Sequence, residues 1–321
     1  MFASDSARVG SSRADPPRTK VGAPRDDPLT RAVGNTPLVP LPSLLPSDGP
    51  HGSVWAKLES MNPSGSVKDR AALAIVEAAL QDGSLGGGRT LVDASSGNTA
   101  VAYAMLGARL GFPVLLFVPR QANPARLSAI RAFGAEVVLT DPGEGTDGAQ
   151  REARARAESQ PRRYFLADQY NNPANPRAHF TGTGPEIWRQ SGGRLTHLVA
   201  GVGTGGTISG TGRFLKEQRR SLQVVGVEPT GPIHGLEGLK HLPTAVRPGT
   251  YDGSVVDSTV RIETEVAAAI VGRLAREEGI SAGPSAGAAL AAALGIARAD
   301  PTAFVVAIVP DRGEGRQGGD R

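Results

Sequence analysis

Lys68 stands at the centre of residues 57–73, KLESMNPSGSVKDRAAL. A polar turn (Asn62, Pro63, Ser64, Gly65, Ser66) delivers it to the start of a helix rich in alanine and leucine. Free peptide N–H groups and the positive end of the helix dipole disfavour an ammonium there. A lysine with a weakened hold on its proton is an amine nucleophile that condenses with carbonyl compounds, and pyridoxal phosphate (PLP) is the carbonyl cofactor that enzymes hold in this way. The competing reading is a solvated lysine paired with Asp69, and this stretch alone does not separate the two.

Three further turns could receive a ligand. Residues 201–207, GVGTGGT, run from a strand through glycines into a helix, an order in which backbone N–H groups and a helix dipole cradle a phosphate. Gly201, Gly203 and Gly206 also satisfy a dinucleotide-binding spacing, with Glu228 near the place of its acidic partner. The position in mid-chain and the threonines at 204 and 207 favour a monophosphate cradle. Residues 95–99, SSGNT, offer hydroxyls, backbone N–H groups and the Asn98 amide to a carboxylate or a ring oxygen, against a plain reading as a helix cap. Residues 283–288, GPSAGA, form the last turn, whose Ser285 could meet a heterocycle nitrogen.

The elements that position these turns alternate. Short apolar strands (SVWAKLE, TLVDA, PVLLFVP, AEVVLT, THLVAGVG, LQVVGVEP, AFVVAIVP) alternate with helical stretches of 10–15 residues, the pattern of parallel βαβ units. The first helix is expected over 69–81. Two such sets flank the loop-like DQYNNPANPRAHF, which predicts two α/β domains with a cleft between them. The expected division is a disordered leader over 1–28, a smaller domain over 65–170, and a larger domain made of 29–64 and 171–321. Residues 228–253 lack periodicity, and an irregular stretch of that length in a compact α/β protein is functional or disordered.

Composition narrows the classes. The chain has 321 residues, 39% hydrophobic, with 42 Gly and 25 Pro, as in a globular protein with many tight loops. Its formal charge of +4 comes from basic residues spread along the chain, without the clustering of a nucleic-acid footprint. Cysteine is absent, which excludes disulfides and thiolate catalysis. The five histidines form no i,i+4 pair and no HExxH, so no metal site is expected. No run of about 18 apolar residues suggests a membrane span, and the N-terminus lacks the apolar core of a secretory signal. A cytoplasmic protein is expected.

Taken together, NPSGSVKDR, SSGNT, DQYNNPAN with TGPEI, GTGGT and EGISAGPSAGA resemble the cysteine synthase (O-acetylserine or O-phosphoserine sulfhydrylase) family of fold-type-II PLP enzymes, over about residues 30–314. The resemblance implies an α/β, two-domain fold like the tryptophan synthase β subunit, each domain a mostly parallel sheet flanked by helices, with the active site in the cleft. It implies that Lys68 carries PLP and moves the substrate α-proton, that Asn98 bonds the cofactor phenolic oxygen, and that Ser95, Ser96, Thr99 and Gln169 grip the substrate carboxylate. Gly203, Thr204, Gly205, Gly206 and Thr207 would hold the phosphate, and Ser285 would face the pyridine nitrogen, where a neutral hydroxyl leaves the ring a weaker electron sink suited to β-elimination. Lys240 lies near a basic position of the O-phosphoserine-using relatives and would bind that leaving group; the plain reading is a lysine in solvent.

The implied reaction is β-replacement on an O-activated L-serine through an aminoacrylate, forming L-cysteine with a sulfur donor, in a homodimer. Alternatives are another nucleophile, as in a 2,3-diaminopropionate-type synthase, or a serine or threonine dehydratase. A cofactor-bound protein without turnover is the reading from another class. The chain departs from the family pattern at Ser95 (usually threonine), Ala100 (usually glycine, so that a methyl could crowd the substrate), Pro284 and Ala286. Its tail, GEGRQGGDR, is expected to stop short of a GERY-type segment.

Overall fold

The computed structural model describes residues 24–95 and 97–313. Its strands are β1 (Leu38–Pro40), β2 (Ser53–Leu58), β3 (Thr90–Ala94), β4 (Val114–Pro119), β5 (Glu136–Thr140), β6 (Tyr164–Leu166), β7 (His197–Gly201), β8 (Gln223–Pro229), β9 (Ser258–Ile262) and β10 (Phe304–Val309). Its helices are α1 (Pro28–Arg31), α2 (Lys68–Gln81), α3 (Asn98–Leu110), α4 (Pro124–Ala132), α5 (Gly145–Ser159), α6 (Ala174–Ala178), α7 (Gly184–Gln190), α8 (Gly206–Gln218), α9 (Thr264–Glu278) and α10 (Pro284–Ala299). Among the described residues no helix is long and apolar enough to cross a membrane.

Two sheets organise the chain. The larger runs β1-β2-β10-β7-β8-β9 and the smaller β5-β4-β3-β6. All neighbours are parallel except β1 and β2. The strands that read as unbroken apolar runs, FVVAIV of β10 and VLLFVP of β4, lie inside their sheets and bury nearly every residue, because helices cover both faces of a parallel sheet. β1 carries Pro40 at an edge, where its missing donor costs no ladder bond. In the larger sheet the alanine-rich α10 packs with α9 under Ala56, Val225, Val305 and Ala307, while Ile187, Ile208 and Leu215 cover the opposite face. In the smaller sheet Ile75, Tyr103 and Ile130 fill one side, and Ala149, Ala153 and Ala157 of α5 fill the other.

Several elements escape the periodicity. β6 has three residues and is defined by its pairing with Thr90–Val92. β9, STVRI, is an exposed edge strand. The stretch 168–180, which reads as a loop, contains α6 and a π-helical turn, His179–Thr183, leading into α7. Pro173 and Pro176 disguise α6, yet both sit in its first turn, where no backbone donor is required. Residues 1–23 of the expected leader lie outside the described residues. Its last part is ordered: Pro24–Asp26 form a 3-10 turn, and buried Asp27 accepts the Leu29 N–H at 2.9 Å and pairs with Arg109 at 2.6 Å.

A buried polar cluster ties α2 to the larger sheet. Lys57 of β2 donates to Glu186 Oε2 and to the Thr36 carbonyl, both at 2.6 Å. Arg70 of α2 donates to Glu59 Oε2 at 2.6 Å and to Glu186 Oε2 at 2.7 Å. Burial works against the Glu186 charge, but hydrogen bonds from Arg70 and Lys57 hold its carboxyl down at about 2. A carboxyl held below its ordinary value of about 4.5 adds stability above that value and loses it as the pH falls toward the folded one. Urea midpoints of the native protein are therefore expected to drop between about pH 4.5 and pH 2. Glu186→Gln should start lower by about 3–5 kcal/mol, since it strips a buried pair of one partner, and should lose less across that window. Parallel pH dependence in the two proteins would contradict this account.

Candidate active site

Four long helices begin at one place between the sheets: α2 at Lys68, α3 at Asn98, α8 at Gly206 and α10 at Pro284. Their N-terminal N–H groups make the cleft a region of positive potential. A cavity of two adjoining lobes lies there, about 50 and 200 Å³. Lys68, Asn98, Gly203, Thr204 and Asp311 line both lobes. Thr207 and Ser285 border the smaller one; Ser95, Thr99, Gln169 and Lys240 border the larger. A more open cavity of about 700 Å³ between α6 and α8 touches none of these residues.

The residues beside Lys68 fix its place. Asp69 reaches back to the turn, accepting the Ser64 N–H at 2.6 Å, and Arg70 enters the buried cluster. The Val67 N–H donates to the Pro310 carbonyl at 2.7 Å, docking the turn on the end of β10. Burial weakens the hold of Lys68 on its proton, and the negative charge of Asp311 opposes this.

The turn 203–207 is built for close backbone approach. A Cβ at Gly203 would lie 2.1 Å from the Gly238 carbonyl oxygen, and one at Gly206 would lie 2.0 Å from Asn175 Oδ1. Gly205 takes the left-handed conformation, φ 87°, that lets the chain enter α8. The irregular segment folds over this turn: Lys240 N–H donates to the Val202 carbonyl at 2.8 Å and the Thr250 hydroxyl to the Thr204 carbonyl at 2.6 Å. A lysine facing a helix start with two threonine hydroxyls and glycine backbone N–H groups fits a phosphorylated aldehyde such as PLP.

On the smaller sheet, Ser95 Oγ accepts the Gly97 N–H at 3.2 Å, and the Thr99 hydroxyl donates to Gln169 Oε1 at 2.6 Å. Gln169 Nε2 donates in turn to the Ala94 carbonyl at 3.0 Å. Ser96 lies outside the described residues. Ala100 does not crowd the cavity, because its methyl is buried in the core around Tyr103 and Leu106. Pro284 occupies the first position of α10, where proline is preorganised, and Ala286 is fully buried beneath it.

Lys240 reaches the larger lobe and does not stand in solvent. Its Nζ is 3.5 Å from Asp147 Oδ1 and 5.0 Å from the centroid of the Tyr170 ring. Arg126 of α4 pairs with Glu237 beside it, so two ion pairs join the helices of the smaller sheet to the irregular segment.

Three residues escaped the sequence reading. Asn175, within the quoted motif DQYNNPAN, donates to the Gln169 carbonyl at 2.8 Å and to Thr204 Oγ1 at 3.2 Å, linking the two halves of the site. His179 is buried with its ring nitrogens 2.9 Å from Thr183 Oγ1 and 3.2 Å from Thr207 Oγ1. Burial first, then the charges of Arg70 and Lys68, push it well below the ordinary histidine range, leaving a neutral ring behind the turn. Asp311 follows β10, and nothing in its own neighbourhood of sequence marks it. The motif supplied a signal for Asn175; the histidine and aspartate are identified only by what folding brings beside them.

Comparison with known proteins bears on what this arrangement does. The sequence model of the family described as "Pyridoxal-phosphate dependent enzyme" matches residues 29–311. A cysteine synthase of Aquifex aeolicus is 49% identical over 291 residues, 89% of each chain. Among solved structures, O-ureido-L-serine synthase superposes with a TM-score of 0.83 at 39% identity, covering 89% of this chain and 92% of the other. The cysteine synthase (OASS) of Entamoeba histolytica superposes with the same score at 31% identity, covering 97% and 92%.

Proposed function

This chain belongs to the pyridoxal-phosphate dependent enzyme family, and on that premise we propose that it is a cysteine synthase, replacing the acetoxy group of O-acetyl-L-serine with sulfide to give L-cysteine and acetate. The observation that carries this reading is the convergence of Lys68, Ser95, Asn98, Thr99 and the 203–207 turn on one cavity between the two sheets. Bound PLP supplies an electron-withdrawing ring that stabilises negative charge on the α-carbon of an attached amino acid.

The protein's own groups do the rest. Lys68 Nζ would hold the cofactor covalently, and its free amine takes the proton from the substrate α-carbon. Acetate then leaves the β-carbon with its bonding pair, hydrosulfide adds to that carbon, and Lys68 returns the proton to the α-carbon. Gly203, Thr204, Gly205, Gly206 and Thr207 would hold the phosphate at the start of α8. Asn98 would bond the phenolic oxygen, Ser285 would offer a neutral hydroxyl to the ring nitrogen, and Ser95, Thr99 and Gln169 would bind the substrate carboxylate, with Ser96 assigned the same role by family resemblance alone. Among the described residues, the smaller domain falls within 65–170 and the larger within 29–64 and 171–321. The enzyme acts as a homodimer in the cytoplasm, and light scattering that gives the monomer mass at micromolar concentration would refute the dimer.

Lys240 forms a wall of the substrate lobe in this reading, and its charge is partly answered by Asp147. A cation already paired gains less from a phosphate dianion, so Lys240→Ala should change the preference for O-acetylserine over O-phosphoserine by less than about threefold, roughly 0.7 kcal/mol. A tenfold selective loss on O-phosphoserine would instead make Lys240 a phosphate ligand.

The test of the reaction is product analysis of the PLP-loaded enzyme with O-acetylserine, with and without sulfide. Cysteine formed in step with acetate supports the proposal. Pyruvate at the same rate under both conditions would make the protein a dehydratase, and an absorption spectrum unmoved by any serine ester would remove turnover altogether.

A further inference from the structure

Asp311 occupies a position that the reaction as described does not use. Its Oδ2 accepts the Asn98 side-chain amide at 2.6 Å. Its Oδ1 is buried with no hydrogen-bond partner among the described residues. The carboxyl is closely fitted, since a Cβ at Gly283 would come within 2.3 Å of Oδ1. Its backbone is pinned by an isolated bridge to Ser66, two residues before Lys68, and by the Gly283 N–H at 3.4 Å. Asp311 and Lys68 line both lobes of the cavity together.

A buried carboxylate with an oxygen left unpaired costs free energy that an amide or a serine in the same place would avoid. Groups carried at such a cost cluster at functional sites. The charged and titratable groups around it are few. Burial pushes the Asp311 carboxyl up, the Asn98 amide and the positive charges of Lys68 and Arg126 pull it down, and Glu237, the partner of Arg126, works with burial; His179 near Lys68 is neutral.

We propose that Asp311 is a positioning residue of the β-replacement site: one carboxylate oxygen fixes the Asn98 amide, and the other supplies the negative charge that holds the Lys68 ammonium in the cavity. Lys68 thereby keeps enough affinity for a proton to carry it between removal from and return to the substrate α-carbon. The direction agrees with the opposing effects of burial and of Asp311 on the lysine. A residue serving only to brace Asn98 would leave the protonation of Lys68 unchanged.

The inference rests on Lys68 as the cofactor-bearing lysine, and its test separates the two. Apoprotein is labelled with an acylating reagent between pH 6 and 11, and modification of Lys68 is followed by peptide mass spectrometry, with the other lysines as internal controls. Asp311→Asn keeps an acceptor for the Asn98 amide and removes the charge. The midpoint for Lys68 is expected to fall by about half a pH unit or more, about a threefold loss of proton affinity, with the control lysines unmoved. Should that variant not fold, Asp311→Ser carries the same measurement. Coincident Lys68 midpoints in the native and variant proteins would overturn the charge role. Borohydride treatment of the PLP-loaded protein that leaves Lys68 unmodified would instead overturn the assignment of the lysine itself.

Discussion

Lys68→Ala is expected to abolish cysteine formation from O-acetylserine and sulfide while leaving the fold intact. Proton transfer by a positioned side chain contributes about 10²–10⁴ in rate, and the same side chain supplies the covalent hold on the cofactor, so the residual rate should lie below about one-hundredth of normal. The fold survives because the neighbours of Lys68, not its own amine, anchor the start of α2. Asp69 holds the preceding turn and Arg70 is committed to Glu59 and Glu186. The measurement is steady-state turnover with thermal melting of the same preparation. A variant that melts like the native protein yet keeps more than a few per cent of its rate would sink the assignment. An added small amine that restores turnover would strengthen it, because the missing group is then a base and not a structural prop.

How far the sequence discloses this site depends on whether a residue's neighbours are local. Lys68 declares itself because the turn before it and the helix after it are both written in adjacent residues, and the same is true of SSGNT and GVGTGGT. Strands buried on both faces are legible for a related reason: FVVAIV can satisfy its side chains only inside a parallel sheet. β6 and β9 are not legible, since three residues set no period and an exposed edge strand needs no apolar face. α6 hides behind prolines that are harmless only in a first helical turn. His179, Asn175 and Asp311 acquire their roles from partners 28, 29 and 213 residues away. The environment of Lys240 depends likewise on Asp147 and Tyr170, and a reading that sets a free cation against a phosphate cannot see the carboxylate that folding brings to it.

Gly206→Val is expected to release the cofactor. The branched side chain would begin 2.0 Å from Asn175 Oδ1 and 2.5 Å from its Cγ, so one of the two must move. Asn175 is buried and cannot swing aside without giving up its bonds to the Gln169 carbonyl and Thr204 Oγ1. The displacement therefore spreads to the 203–207 turn on one side and to Gln169 on the other. Overpacking of this kind costs about 1–3 kcal/mol, and here the cost falls on the N–H groups that would face the phosphate. Cofactor retained per chain after dialysis, read from visible absorbance against protein concentration, should fall at least about tenfold, equivalent to roughly 1.4 kcal/mol of binding. Gly203→Ala should behave alike with a smaller side chain, because it meets the Gly238 carbonyl, a backbone atom with no rotamer to take it away. Gly295→Ala is the matched control: it lies in exposed helix with nothing within 4 Å of the added carbon and should leave retention unchanged. Native cofactor content in dialysed Gly206→Val would mean that the phosphate is held somewhere other than at the start of α8.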